Sequence, residues 1–415
     1  MTNSAWFGSS VAVIGDLDGD GVDDLAVGAR YDDDGGTDRG AVWILFMTAQ
    51  GIVSSYQKIS DTSSSGLAAD LASSDYFGWS VAAIGDLDED GVPDLVVGAQ
   101  RDDDGGTDRG AVYVLYMEAD GLVASDRKIS STSGGFTGVL DNSDYFGSSV
   151  ASIGDLDSNG VMDIAVGAYL DDDGGGDRGA LWVLFMNADG TVASHQKISS
   201  LSGAFGGALD SSDWFGWSVA NIGDVDADGV ADLAVGSMLD DDGGTDRGAV
   251  YVLYMEADGT VASHRKISNT VGLFTAVLDN SDWFGSSVSG VGDVNSDGVL
   301  DMLVGSMYDD DFTTNTGAMY VLFMSADGSV SSFDKISSTS APFTLDGSDY
   351  FGSSVASSGV VGSDGYLSLW VGATTDDDGG TDRGSVYMMS YQTVGLEGVF
   401  LSCHACAVIL CSGHK

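Results

Sequence analysis

Between Tyr76 and Ser130 the chain alternates short apolar runs with acidic or glycine-bearing turns. Tyr76–Gly85 predicts a first strand with apolar residues on both faces, Asp86–Asp94 an acidic turn, and Leu95–Ala99 a short second strand. A second acidic loop, Asp102–Gly110, leads into Ala111–Met117. Ala119-Asp120-Gly121 then turns the chain into a fourth strand ending at Lys128-Ile129-Ser130. The third strand is apolar at every position, so both of its faces must be covered. The fourth carries Ser125, Asp126 and Arg127, as a wet outer edge does.

This pattern recurs. Aromatic-Phe-Gly triplets place Phe7-Gly8, Phe77-Gly78, Phe146-Gly147, Phe215-Gly216, Phe284-Gly285 and Phe351-Gly352 at spacings of 70, 69, 69, 69 and 67 residues, and each copy leads into Val-Gly-Ala or Val-Gly-Ser. One such unit cannot bury two apolar faces, so stacked neighbours must do it. Sheets flanked on each side by like sheets meet that demand, and a sandwich with one wet face does not. The expected fold is therefore all-β: a β-propeller with six visible four-stranded antiparallel blades, at about residues 6–74, 75–143, 144–212, 213–281, 282–348 and 349–394. A stacked β-solenoid is the alternative, although its coils are usually much shorter. The propeller is expected over residues 1–394, and 395–415 form a divergent tail that holds all three cysteines. Blade six lacks the Lys-Ile-Ser strand, and Val399-Phe400-Leu401 is the candidate to replace it. In an up-and-down meander the first-to-second and third-to-fourth turns leave at one end. The second-to-third loops and interblade linkers leave at the other, so the two acidic loop types fall on opposite faces.

The first acidic loop reads Asp-x-Asp-x-Asp-Gly-x-x-Asp. Its copies are Asp16, Asp18, Asp20 and Asp24; Asp86, Asp88, Asp90 and Asp94; Asp155, Asp157, Asn159 and Asp163; Asp224, Asp226, Asp228 and Asp232; and Asp293, Asn295, Asp297 and Asp301. Alternate side chains converge on one centre when the chain turns sharply, and Gly at position six permits that turn. The backbone carbonyls of Val22, Val92, Val161, Val230 and Val299 are placed to complete each shell. Six to eight hard oxygen ligands on a flexible loop select Ca²⁺; Mg²⁺ demands stricter octahedral geometry and Zn²⁺ wants His or Cys. Asp and Gly also make good turns without metal, but clusters of carboxylates repeated at one spacing repel one another when unmetallated. About five structural calcium sites are expected. Val360, Gly362, Asp364, Gly365 and Ser368 occupy the sixth loop, which keeps one carboxylate of four, and no ion is expected there.

Phe-Gly followed by Val-Gly-Ala, with an acidic nonapeptide between, resembles the FG-GAP repeats of integrin α-subunit β-propellers and their extracellular relatives, over residues 6 to about 391. The resemblance implies an extracellular or cell-surface setting and calcium on the face away from the ligand. Those relatives usually have seven blades, so either the ring closes with six or part of the chain is absent. The second loop, Asp32-Asp33-Asp34-Gly35-Gly36-Thr37-Asp38-Arg39-Gly40 in repeat one, belongs to the ligand-facing side in that family, though its acidic run is not a hallmark. Three roles stay open for it. The first is structural, with Asp38 accepting bonds from turn amides and the Arg of each loop clamping a neighbouring blade's carboxylate. The others are a further cation site and direct recognition of a glycan or protein. Lys58, Lys128, Lys197, Lys266 and Lys335 read as edge lysines that discourage strand-to-strand association. The paired aromatics, such as Trp6-Phe7, read as blade-to-blade packing, with a sugar-stacking platform the lesser reading for the Trp members.

Charge narrows the partners. A net charge of −49 over 415 residues leaves no basic stripe for phosphates and argues against anionic lipid, so nucleic acid is excluded. Hydrophobic content of 43% is ample for a core, so the acidity does not signal disorder. No apolar leader follows Met1, which suggests a mature or truncated chain, and no run is long enough for membrane insertion. Cys403-His404-Ala405-Cys406 lacks the spacing of a zinc site. No nucleophile elbow, metalloprotease motif or phosphate loop is present, and repeat symmetry gives paired carboxylates identical environments, which general acid–base chemistry does not want. The expected function is a calcium-binding, non-catalytic adhesion or ligand-binding module, with a protein or glycan ligand or further copies of itself as partner. A structural subunit of an extracellular matrix, surface layer or filament is the alternative, and a carbohydrate-binding accessory domain a lesser one.

Overall fold

A computed structural model describes residues 4–62, 64–68, 71–311, 313–341, 343–361, 366–377, 380–393 and 399–402. Blade one comprises β1 (Phe7–Gly15), β2 (Asp24–Ala29), β3 (Ala41–Met47) and β4 (Val53–Ile59), antiparallel neighbours in sequence order. Five further four-stranded sheets repeat that meander, and the described residues contain no helix. Each β3-type strand is buried at all seven of its residues in blades one to five, as its unbroken apolar run requires. The β4-type strands mix exposed and buried positions.

The core lies between blades, not within them. Ile14, Ile44 and Phe46 of blade one pack in one cluster with Phe77, Val97 and Tyr113 of blade two. Phe7 and Val27 of blade one share another with Ala356, Trp370 and Val386 of blade six. Sheets six and one therefore face each other, and the ring is closed with six blades.

Two glycines explain the repeat motif. The Gly of Val-Gly-Ala faces the Phe-Gly of the next blade: a Cβ on Gly98 would stand 2.0 Å from the Gly147 carbonyl oxygen. The Phe-Gly glycine itself has φ near +90° at Gly147, a conformation that side chains with a Cβ rarely adopt. A serine hydroxyl ties the same junction, Ser80 Oγ donating to the Gly147 carbonyl at 2.9 Å and Ser354 Oγ to that of Gly8 at 2.8 Å. The last of these bonds joins residues 346 apart and seals the ring. The Phe of every aromatic pair is core: Phe7, Phe77, Phe146, Phe215, Phe284 and Phe351 are fully buried, and Tyr76 is buried beside Phe77. Burial of each Phe is worth about 2–3 kcal/mol. The preceding aromatic is held at positive φ, between 54° and 60°, and most of these rings are half-buried at the mouth of the ring. The reading of both members as blade-to-blade packing holds for Tyr76, Trp214 and Tyr350, whose rings meet Tyr31, Tyr169 and Tyr308 of the preceding blade at centre distances of 5.0, 5.0 and 4.7 Å.

In blade six β23 (Ser385–Thr393) pairs with β24 (Val399–Ser402), so Val399, Phe400 and Leu401 do supply the fourth strand, five residues past the 394 boundary at their start. The cysteines, Gly362, Asp364 and Gly365 lie outside the described residues.

Candidate metal centres and the opposite face

The first acidic loop begins where β1 ends, and its last Asp is the first residue of β2. Two left-handed residues shape it. Gly21 has φ +89°, and residue four of the loop is also left-handed: Gly19 at +77°, Glu89 at +61°, Ser158 at +60°. The second of these turns was not foreseen, because Glu and Ser carry no conformational signature. In loop one, Asp16 accepts the Asp20 and Gly21 amides, each at 2.9 Å, through its two oxygens. Asp18 accepts the Asp20 amide at 3.1 Å, and Asp20 accepts that of Val22 at 2.9 Å. The other four loops repeat these bonds, with Asn159 and Asn295 taking the places of Asp in loops three and five.

The last Asp is the anchor. Asp24 is fully buried; its Oδ1 accepts the Met47 amide at 2.8 Å and its Oδ2 that of Leu17 at 3.1 Å. One carboxylate thus joins the loop to the end of β3, which places the loop on the face of the β3–β4 turns. Burial raises the Asp24 carboxyl to about 6, opposed by those two amides and reinforced by Asp18 and Asp20. Asp94, Asp163, Asp232 and Asp301 repeat the shift to about 6, with burial first in each case.

Carboxylate oxygens converge in four loops to within 4.8 Å of one another: Asp16, Asp18 and Asp24; Asp86, Asp88 and Asp90; Asp155, Asp157 and Asp163; Asp224, Asp226 and Asp232. In loop five the carboxylates of Asp293, Asp297 and Asp301 do not converge to that distance, and the Asn295 side-chain amide donates to Asp297 at 3.0 Å. Val22 and its counterparts lie in the same turns, donating their amides to residue five. Among the described residues, no Lys or Arg forms an ion pair with any first-loop carboxylate. A hard-oxygen cluster of charge −3 or more with no protein cation beside it suits a divalent ion.

The opposite face solves the same problem with protein. Lys58 Nζ lies 2.7 Å from Asp32 and 2.5 Å from Asp34. Lys128, Lys197, Lys266 and Lys335 each bridge the equivalent pair of their own blade at 2.6–3.0 Å. The first Asp of each pair is buried (Asp102 is 3% exposed). These lysines are internal counter-ions, not edge guards, because the fourth strand runs beside the loop that the 69-residue repeat places there. Asp38 adopts the left-handed conformation at φ +52° and donates its own amide to Asp33 at 3.0 Å; it does not gather turn amides. Of the loop arginines, Arg39 pairs with Asp61, whereas Arg109 and Arg247 donate to Asn142 and Asn280 at 3.2 and 3.1 Å, all in interblade linkers. The clamp is thus to a linker, and to a carboxylate at Arg39.

FG-GAP repeat models match residues 7–45, 146–184, 215–253 and 284–322, and a second FG-GAP repeat model matches 67–115. The chain belongs to the FG-GAP repeat family. This FG-GAP propeller is 33% identical over 240 residues to integrin alpha-5 of Xenopus laevis, covering 57% of the chain and 20% of that relative. It is 32% identical over 200 residues to integrin alpha-3 of Cricetulus griseus, covering 48% and 17%. It is also 31% identical over 221 residues to a phosphatidylinositol-glycan-specific phospholipase D of Bos taurus, covering 52% and 25%. The matched part spans a quarter or less of each relative, and one of the three is named as an enzyme. Among the described residues no helix is long and apolar enough to cross a membrane.

Proposed function

We propose that this FG-GAP propeller is a calcium-stabilised, non-catalytic, extracellular adhesion or ligand-binding module. The observation that carries the calcium part is the contrast between the two acidic rings. One Asp pair in each second loop of blades one to five is bridged by a lysine, and among the described residues the first-loop carboxylates on the other face pair with no Lys or Arg. Calcium in the five first loops would be held by Asp16, Asp18, Asp20, Asp24 and the Val22 carbonyl, and by their equivalents in loops two to five. Bound there, it supplies charge neutralisation and a cross-link. The chain's own residues do the rest: Asp24 and its counterparts fix each loop to the third strand of its blade, and the left-handed turns aim the side chains inward. The likeness to integrin α chains supports the adhesion reading, and the repetition of the same carboxylate arrangement from blade to blade supports a non-catalytic one. A protein or glycan ligand is the expected partner.

The experiment is thermal unfolding with and without chelator. A ligand that binds only the folded state at 100 times its Kd contributes about 2.7 kcal/mol per site, so the melting temperature should fall by many degrees when calcium is removed. An unchanged curve would end the calcium reading. The near-identity of the second loops in blades one to four favours a second reading, a subunit of an extracellular lattice. Imaging the purified chain with calcium separates the two: discrete discs support the module, ordered arrays the lattice.

A further inference from the structure

The innermost strands enter the ring from the linker face, so Ser9, Trp79, Ser148, Trp217, Ser286 and Ser353 encircle the axis at its mouth, with the buried Val11 and its equivalents deeper. They enclose a cavity of about 110 Å³. One group in its wall breaks the six-fold likeness. The residue after Val-Gly-Ala or Val-Gly-Ser is Gln100, Tyr169, Met238, Met307 or Thr374 in five blades, and Arg30 in the first.

Arg30 is a cation without a counter-ion. Its guanidinium carbon lies 3.8 Å from the ring centre of Trp79 and 4.8 Å from that of Trp6. Its Nε is buried with no hydrogen-bond partner, and among the described residues no carboxylate pairs with it. Arg30 is half-buried, and desolvation pushes its pKa below the ordinary arginine value while the Trp79 and Trp6 rings are its charge's aromatic neighbours. Two hydroxyls in the same wall are also buried and unpartnered, Ser148 Oγ and Ser353 Oγ, and Ser148 is only 4% exposed. Buried donors normally find acceptors, and a charge partly withdrawn from water needs one most. Water can answer a hydroxyl, but it does not neutralise a guanidinium.

We propose that the axial cavity binds a carboxylate. A guanidinium presents two parallel N–H groups that match a planar carboxylate, and the serine hydroxyls can serve its remaining lone pairs. The volume admits a group the size of acetate. In a chain of net charge −49 a monoanion is less repelled than a phosphate dianion. The site gives the ligand-binding reading a place and a chemistry, and rests on it only to that extent. It does not depend on calcium in the first loops, so chelator-insensitive melting would leave it standing.

Trp79 lies against the guanidinium, so tryptophan fluorescence reports the site. The full chain, in calcium, is titrated with sodium acetate and with an acetylated glycine peptide bearing a free C-terminal carboxylate. Sodium chloride at equal ionic strength and the C-terminally amidated peptide are the controls. A saturable change with acetate and the free-acid peptide, absent with both controls, is expected. Arg30→Met, the side chain blades four and five carry at this position, should weaken binding at least tenfold with the melting temperature unchanged. Tighter binding of the peptide than of acetate assigns the site to a protein-borne carboxylate, and the reverse order to a free acid. A chloride response equal to that of acetate overturns the proposal, as does wild-type affinity in a well-folded Arg30→Met chain. Should that variant not fold, Arg30→Lys, which keeps the charge and loses the fork, must bind at least threefold more weakly.

Discussion

Replacing Gly98 by alanine tests the idea that neighbouring blades are held at glycine-to-backbone distance. The added methyl would stand 2.0 Å from the Gly147 carbonyl oxygen, 2.3 Å from Ser80 Oγ and 3.0 Å from the Gly147 carbonyl carbon. Backbone cannot rotate away as a flexible side chain can, so blades two and three must separate by more than an ångström. Overpacking of this kind costs about 1–3 kcal/mol. The displacement also breaks the 2.9 Å Ser80–Gly147 hydrogen bond, worth about 1 kcal/mol. A loss of about 3 kcal/mol follows. At roughly 2.1 cal/mol/K per residue, unfolding of 415 residues carries about 0.9 kcal/mol/K, so the melting temperature should drop by about 3–4 °C. The matched control is Gly19→Ala. Its methyl meets nothing within 4 Å, and loop four already holds Ala227 there at φ +61°. Calorimetry in excess calcium compares the two. If Gly98→Ala melts with the wild type, or Gly19→Ala falls as far, close glycine contact is not what sets the blade spacing.

Lys128→Met should cost about 3 kcal/mol in denaturant unfolding, because Asp102, 3% exposed and also bonded by Tyr113 at 3.0 Å, would lose its cation; faster aggregation at unchanged stability would instead restore the edge-lysine reading. Burial raises Asp75, Asp144, Asp213 and Asp282 to about 7, with neighbours such as Asp171 beside Asp144 adding to it. A folded carboxyl that binds its proton more tightly than the unfolded one contributes stability at low pH, and loses it as pH rises from about 4 to 7. Asp144→Asn, which keeps an acceptor for the Asp141 amide, should therefore gain on the order of 2 kcal/mol at pH 8 and show a flatter pH dependence; a destabilised variant at that pH would show the carboxylate to be charged and needed. Equilibrium dialysis should find about five calcium ions per chain, with Asp88→Ala losing one, and a count of zero would remove the metal centres altogether.

Much of this could be read from the chain alone, because the information was local. A seven-residue run without a polar position needs two covered faces, and a 69-residue period supplies the neighbours that cover them. The first-loop Asp spacing is local too, since alternate side chains of a tight turn meet whatever lies around them. Even the fourth strand of blade six was legible as an apolar segment where the usual one is missing. The rest depended on groups far apart in sequence coming within a few ångströms. Lys58 reaches Asp32 and Asp34 only once the fourth strand lies beside the second loop, so from the chain it reads as a solvated edge. The motif glycines read only as positions within the first and second strands; the partner that requires them is backbone of the next blade. Whether six blades suffice was a question of closure, decided by a bond across 346 residues. The unpaired Arg30 stands out only at the axis, where its guanidinium joins the cavity wall against Trp79 of the next blade.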